Sequence, residues 1–132
     1  MFKPLRYDSG KLVTLKTASS TTITKGDALV FSSGYVQRAD NSATEVRFVA
    51  MEDVTTGSGE HKDILCLYVD GVEFEADTNG NTSQSLVGTY VDLTDHDTLN
   101  ESASSNDVFY ITQVVGAASD KKVRGYFVLK TS

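Results

Sequence analysis

Residues 25–36 read KGDALVFSSGYV, and this stretch decides the fold class. It contains two short runs of β-branched and aromatic residues, and a small polar segment from Ser32 to Gly34 separates them. Runs of this kind, interrupted by a Ser/Gly turn, are typical of two antiparallel strands joined as a hairpin. The stretch therefore predicts strands at 28–31 and 34–38.

The rest of the chain has the same character. No segment carries apolar residues with the 3.6-residue period of a helix over ten or more positions. The Asp70–Gly71 pair predicts a further tight hairpin turn. Polar stretches predict loops at 55–61, 77–85, 95–107 and 116–120. The remaining predicted strands lie at 11–17, 21–24, 46–54, 63–70, 72–76, 89–94, 108–115 and 121–130. The sequence therefore predicts an all-β fold, either a sandwich or a small barrel.

The two halves of the chain resemble each other. Each half has a glycine turn, a strand, a polar loop, a second strand and a closing strand. The matching segments are 26–31 with 88–93, 46–49 with 108–111, and 62–69 with 121–128. One such unit cannot cover its own apolar face, so we predict two similar β units that share one core. The alternative is that both halves follow the common pattern of β-hairpins.

The matched strands also predict the core. Apolar positions that recur in both units should face inward, because alternate residues of a strand share one face. The residues predicted to be buried are Leu29, Phe31, Val49, Leu65, Leu67, Val91, Ile111, Val123 and Phe127.

The first ten residues differ from the rest of the chain. Pro4 cannot donate to a strand ladder, and residues 1–10 show no alternation of apolar and polar positions. We predict an N-terminal arm at 1–10, loose when free and ordered when docked, ahead of a single β domain at 11–132. The alternative is a first edge strand that completes the barrel. The candidate contact residues of the arm combine apolar anchors with positive charge, and they are Phe2, Lys3, Leu5, Arg6 and Tyr7.

Charge is distributed unevenly along the chain. The net charge is -6 with a pI near 4.7, which argues against nucleic-acid binding, since that requires a basic face. Residues 1–26 carry five basic residues against one acidic residue, whereas residues 40–107 carry fifteen acidic against two basic. The last 25 residues return to a net charge of +3. Such asymmetry is typical of a segment that contacts a partner, and scatter on a solvated surface is the alternative.

Two further absences in the sequence bear on localisation. No apolar run approaches the ~20 residues of a transmembrane helix. Residues 1–7 lack the hydrophobic stretch of a signal peptide. We therefore expect no membrane partner and synthesis in a cytoplasm.

We predict no catalytic residue, no cofactor and no metal. The sequence has no Gly-rich phosphate loop, dinucleotide fingerprint, paired-cysteine motif or nucleophile elbow. Cys66 lies in an apolar run, so we expect it to be a buried hydrophobe. A catalytic thiol would need a nearby imidazole, and the two histidines, His61 and His96, lie in polar stretches. Glu73 and Glu75 share a strand face, as a glycosidase pair would, but the chain has no tryptophan to stack on sugars.

One acidic stretch leaves an ion site open. Residues 92–97 read DLTDHD, with Glu101 beyond them, and carboxylates at this density suit calcium. The spacing does not fit an EF-hand loop, and the central glycine of that loop is missing. The composition favours a solvated turn rich in Asp and Thr, with ion binding as the alternative.

The order of these features carries a resemblance. A threonine-rich strand precedes KGDALVF and the hairpin SSGYV, and VRFVAMEDV and LYVDGVEF follow a polar loop. The second half runs from VGTYVDL to KKVRGYFVL. In this order the chain, over residues 20–130, resembles the small head-decoration (cement) proteins of tailed bacteriophages.

The resemblance implies a β-tulip or small-barrel fold, often trimeric, at threefold positions of the capsid outer surface. On this basis we expect a structural virion protein that binds the major capsid protein as a homotrimer and stabilises the head. The residues of the arm then become candidates for capsid contact. The alternatives are a carbohydrate- or receptor-binding module of a phage fibre and another non-enzymatic phage subunit. Binding to empty capsids, as against a glycan panel, separates these functions.

Overall fold

A computed structural model describes residues 1–130 of the chain. Within these residues the secondary structure is strands and short 3₁₀ turns, without an α-helix, so the predicted all-β class is confirmed. The final two residues of the domain predicted at 11–132 lie outside the described residues.

The strands are numbered in chain order. Those of the first half are β1 (Lys3–Pro4), β2 (Leu12–Lys16), β3 (Thr22–Ile23), β4 (Ala28–Ser32), β5 (Tyr35–Arg38), β6 (Phe48–Ala50), β7 (Val54–Thr55) and β8 (Asp63–Tyr68). Those of the second half are β9 (Phe74–Thr78), β10 (Tyr90–Leu93), β11 (Thr98–Asn100), β12 (Phe109–Val115) and β13 (Lys122–Phe127). The 3₁₀ turns are at Ser9–Lys11, Gln84–Leu86 and Ala118–Asp120.

Each half of the chain builds one large sheet. The first sheet has the order β2-β8-β6-β4-β5, and β3 pairs with β7 as a separate two-stranded sheet. The second sheet has the order β1-β9-β11-β10-β12-β13, and β13 also pairs with β9. The two large sheets enclose a common core, so the fold is sandwich-like.

The strand pairings reveal the internal repeat. In the second sheet the pairings can be followed as β9-β13-β12-β10-β11, which matches β2-β8-β6-β4-β5 strand for strand, with every one of these pairs antiparallel. The parallel pair β9–β11 also has a counterpart, a parallel bridge between Thr17 and Val36 at the ends of β2 and β5. The two predicted β units therefore correspond to the two sheets.

The main core lies between the sheets. Val49 and Leu67 of the first sheet pack in one cluster with Val91, Ile111 and Val123 of the second, all at 2% exposure or less. Phe127 closes this cluster, as predicted. In the second sheet Ile111, Val123 and Phe127 alternate with exposed or half-buried residues, whereas Val49 and Leu67 of the first sheet have buried neighbours, Ala50 and Cys66, which belong to a cluster on the opposite face.

Two predicted core residues lie elsewhere. Leu29 and Phe31 face the outer side of the first sheet, where Ile23 of β3 and Val54 of β7 pack against Leu29 in a second cluster. The β3–β7 pair does not extend over Phe31, which is 50% exposed, so its predicted burial is wrong. Leu65 is only half-buried.

The predicted turns have different outcomes. Ser32 pairs with Tyr35, so the hairpin turn consists of Ser33 and Gly34, whose φ angles of 51° and 86° are both positive. A two-residue turn with two positive φ angles matches the twist of the flanking strands, which confirms the hairpin. The turn at Asp70 and Gly71 instead connects β8 to β9 in the other sheet. The predicted hairpin there is wrong, because each strand finds its partners within its own sheet.

The first residues are packed against the domain. Phe2 is fully buried, with its ring centroid 4.9 Å from that of Phe127 and 6.1 Å from that of Phe109. The Phe2 N–H donates to the Gly26 carbonyl, and β1 pairs with β9. The structure therefore corrects the loose arm at residues 2–4, which lie at the edge of the second sheet as in the alternative prediction, because the burial of Phe2 and the β1–β9 pairing hold them there.

Candidate interaction surface

Three tyrosines form a row across the outer face of the second sheet. Tyr90 of β10 pairs in register with Tyr110 of β12, which pairs in turn with Tyr126 of β13. The rings of Tyr90 and Tyr110 lie 4.9 Å apart between centroids. Tyr90 is 46% exposed and Tyr126 38% exposed. We call these three residues the tyrosine strip.

Strand alternation explains why the strip faces solvent. Phe109 and Ile111 flank Tyr110 and are both fully buried in the shared core, so Tyr110 must point outward. Gly125 precedes Tyr126 and lies against the backbone of Tyr110, since a Cβ built on Gly125 would come within 1.9 Å of the Tyr110 carbonyl oxygen. The chain also shifts register between Ile111 and Gln113, a bulge that Gly125 accommodates by having no side chain.

A polar depression of about 380 Å³ adjoins one end of the strip. We call it the Arg6 pocket. Its lining residues are Leu5, Arg6, Gly71, Glu73, Arg124 and Tyr126. The Leu5 N–H donates to the Glu73 carbonyl and so fixes the N-terminal segment along this rim. Tyr126 belongs to both features, so the strip and the pocket form one continuous surface.

The first sheet carries a second aromatic row on its own outer face. The rings of Phe31 and Phe48 are 5.8 Å apart between centroids, and those of Phe48 and Tyr68 are 5.5 Å apart. The Lys11 ammonium lies 5.4 Å from the centroid of Tyr68. These aromatics lie on β4, β6 and β8, the strands that correspond to β10, β12 and β13. By strand register, Phe48 and Tyr68 take the places of Tyr110 and Tyr126, whereas Leu29 takes the place of Tyr90 and Phe31 lies two residues further along β4.

The five predicted contact residues divide into two groups. Lys3, Leu5, Arg6 and Tyr7 are exposed, and Leu5 and Arg6 line the pocket beside Tyr126. Phe2 is the exception and is corrected here, because a ring buried in the core is not available to a partner.

Sequence reasoning missed the tyrosine strip. Its three residues lie within predicted strands and alternate with buried neighbours, which is a readable signal. Their alignment into one row depends on strand register, which the sequence alone does not give.

The buried acidic residue of the stretch at 92–97 is Asp92, and its carboxylate binds backbone groups of the same domain. Asp92 is 6% exposed, and its carboxylate accepts hydrogen bonds from the backbone N–H groups of Ser105, Asn106 and Asp107 at 2.8–3.0 Å. Asp92 therefore anchors the loop before β12. Burial raises the pKa of the Asp95 carboxyl, but the hydrogen bond that it accepts from the Asp97 backbone N–H and the nearby His96 outweigh burial, and the pKa is lowered.

A carboxylate in the first half instead meets a histidine of that stretch. Asp27 is 2% exposed and lies 2.9 Å from His96 Nδ1, and it accepts a 2.7 Å hydrogen bond from Arg38 Nε. The Thr24 N–H donates to the same carboxylate. Asp97 lies close enough to complete a cluster of possible metal ligands with Asp27 and His96. The Arg38 cation already balances Asp27, so the cluster works as a link between the two halves.

The remaining chemical candidates lie apart from one another in different environments. Cys66 is fully buried, and burial, with a smaller contribution from the Glu52 carboxylate, raises the pKa of its thiol to about 12. Such a thiol is a poor nucleophile at neutral pH. Glu75 lies 3.5 Å from Arg124 Nε, while Glu73 faces the Arg6 pocket. His61 stacks on Tyr35 with 3.9 Å between ring centroids.

The chain is similar in structure to a phage protein. It superposes on the crystal structure of the N base of head fiber gp8.5 of bacteriophage phi29 with a TM-score of 0.58 and 12% sequence identity. The match covers 89% of this chain and 94% of that one. The two chains share a fold.

The comparisons by sequence found no match. No protein-family model matches the chain, and no curated protein is significantly similar to it. In residues 1–130, no helix has the length and apolar character needed to cross a membrane.

Proposed function

We propose that this chain is a structural virion protein that binds the outer surface of a tailed-phage capsid and stabilises the head. The observation that carries the proposal is the fold shared over nearly the whole chain with the base of a phage head fiber. That protein is named for its place on a phage head, and the predicted resemblance to decoration proteins leads to the same particle.

The tyrosine strip supports a protein partner. Exposed tyrosine and arginine are enriched at the centres of protein interfaces, where rigid rings bury much area at low entropic cost. Here three tyrosines and two arginines share one face. In this proposal the partner is the major capsid protein, without nucleic acid, membrane, cofactor, metal or enzymatic activity.

The protein would stabilise the head if it binds the assembled shell more tightly than it binds free capsid subunits. A ligand with that preference shifts the assembly equilibrium toward the shell. Symmetric copies on one particle add their weak contacts through avidity. The acidic residues between 40 and 107 keep the bound protein soluble in water and away from packaged DNA.

The test is co-sedimentation with expanded heads, stripped of this protein, of the phage that encodes it. We expect saturable binding by the wild-type chain, and at least tenfold weaker binding by Tyr90→Ala and Tyr126→Ala with unchanged thermal melts. Phe31→Ala is the matched control, because it removes an equally exposed ring from the opposite sheet. Failure of the wild-type chain to bind heads would overturn the proposal.

The second candidate is a fibre-base module, which the head fiber neighbour itself favours. Such a module would attach to the head and present a receptor-binding element elsewhere. Saturable binding of the free chain to a glycan on a panel, without binding to bare heads, would select a receptor-binding module instead.

A further inference from the structure

We infer that the Arg6 pocket is a carboxylate-binding site, which receives an acidic side chain of the capsid protein docked on the tyrosine strip. This inference rests on the proposed function for the identity of the partner. The chemistry of the ligand follows from the residues of the pocket.

Arg6 supplies the first cation. Its side chain is exposed at the rim of the pocket and takes part in no hydrogen bond or ion pair with any residue between 1 and 130. The neighbouring Leu5 backbone is held against Glu73, so the guanidinium is tethered at this place without being neutralised there.

Arg124 supplies the second cation. Its Nε is buried, and within the described chain it has no hydrogen-bond acceptor, since the 3.5 Å approach of Glu75 Oε1 does not meet hydrogen-bond geometry. A buried donor without a hydrogen-bond acceptor is costly, so the guanidinium is incompletely satisfied within the described chain, and a ligand in the pocket would bind it through its other N–H donors. A guanidinium presents several N–H donors in a planar fork that matches a carboxylate.

Glu73 sets the sign and strength of the site. Its carboxylate lines the same pocket and, among the described residues, has only a 3.5 Å contact from the Thr112 hydroxyl. The lining has two arginines against one glutamate, and because Glu75 beside the pocket already forms an ion pair with Arg124, Arg6 is the cation left for a ligand carboxylate to neutralise. The pocket therefore favours a single carboxylate, and Glu73 weakens its binding.

The pocket adjoins the tyrosine strip, so a partner that covers the strip also reaches the pocket. Tyr126 belongs to both the strip and the pocket, so a polypeptide lying across Tyr110 and Tyr126 reaches Arg124 without leaving the face. Arginine flanked by tyrosine is the composition of an interface centre, where a desolvated ion pair contributes to specificity.

The first experiment measures the pocket without any capsid. The wild-type chain is titrated with N-acetyl-glutamate amide and with its glutamine analogue, and the NMR signals of Arg124 Nε–H and the Leu5 amide are followed. We expect saturable shifts with the glutamate probe only. The variants Arg6→Gln and Arg124→Gln should weaken binding at least threefold, whereas Glu73→Gln should strengthen it. Lys3→Gln is the control, because it removes the same charge from the same segment outside this pocket.

The second experiment places the site in the complex. In co-sedimentation with heads, Arg6→Gln and Arg124→Gln should weaken binding about tenfold, and Glu73→Gln should strengthen it. Equal effects of both probes, or a uniform effect of all charge changes including Lys3→Gln, would overturn the carboxylate site. If Arg6→Gln and Arg124→Gln abolish self-association of the chain but leave head binding unchanged, the carboxylate belongs to a second copy of this chain, and the capsid protein is ruled out as the partner at this pocket. If the wild-type chain fails to bind heads but the probe titration succeeds, the proposed function fails and the pocket stands.

Discussion

The sequence predicts Phe2 as a contact residue for a partner, because it lies in a basic segment with other apolar residues. In the structure its side chain is buried in the core. Its ring lies against Phe109 and Phe127, at the centre of the cluster that joins the two sheets. Positive charge in a segment indicates that an acidic partner can attract it. It gives no information on which apolar side chain of the segment is buried in the domain itself.

Replacing Phe2 with Ala should therefore destabilise the domain. We expect the free energy of unfolding to fall by about 3–5 kcal/mol, the usual cost of deleting a fully buried aromatic ring. Urea denaturation followed by circular dichroism measures it. Leu5→Ala is the control on the same segment and should change stability by less than about 0.5 kcal/mol, because Leu5 is 37% exposed. A loss for Phe2→Ala no larger than that of the control would restore the loose arm.

Cys66 gives a second prediction for a single residue. The raised pKa keeps the buried thiol protonated, so we expect no reaction with a thiol reagent at pH 8 in the folded protein and full reaction in denaturant. The unfolded chain loses this proton first, so the free energy of unfolding should fall as the pH rises above the unfolded thiol pKa of about 9. Rapid modification of the native protein would contradict this burial.

At the scale of elements, the loop before β12 depends on one carboxylate. Asp92 accepts three backbone hydrogen bonds from this loop while its neighbours in β10 face the core. Asp92 is thus the buried acidic residue of the stretch, whereas Asp95 and Asp97 are half-buried. Strand β11 was missed because Thr98–Asn100 lies within residues whose polarity predicted a loop.

Asp92→Ala should loosen this loop. We expect a loss of roughly 2–4 kcal/mol, because a buried charged acceptor is removed and three N–H donors are left unpaired. Faster hydrogen exchange of the amides of residues 105–107 is the local measurement. Asp97→Ala is the matched control, since its side chain makes no such set of backbone contacts within the described chain. A chelator should leave the wild-type melting temperature unchanged, and a fall of many degrees would establish an ion at residues 92–97.

At the scale of the whole molecule, duplication accounts for the architecture. Each half forms a sheet with an apolar face toward the shared core, and only the pairing of the two sheets removes these faces from water. The first sheet also carries the second cluster on its outer side, where β3 and β7 pack. The duplication also produces two outer aromatic rows. The tyrosine strip is the row that we propose to contact the shell.

We therefore predict a homotrimer at threefold positions of the head. Copies of one chain bound to a capsid adopt the symmetry of the capsid positions that they occupy. In addition, a neighbouring copy can cover strands that are exposed at the edge of a sheet. An image reconstruction of heads with and without the protein measures this directly. Difference density at positions without threefold symmetry would contradict the prediction, and density absent from the head surface would contradict the proposed function as well.

The sequence by itself determined the all-β class, the hairpin through Ser32 to Gly34 and the two similar units. The first two follow from local composition and from periods of two residues, and the third follows from comparing segments such as 26–31 and 88–93. Most of the predicted core followed as well, since the same period marks the inner face of a strand.

The tertiary structure alone decided which apolar residues outside that pattern are covered. Phe2 is buried because Phe109 and Phe127, more than a hundred positions away in the chain, provide its pocket, whereas Phe31 is exposed because β3 and β7 end short of it. The tyrosine strip likewise depends on the register of three strands. Register and long-range packing are set by contacts between distant segments, and a local pattern carries no information about which segments will meet.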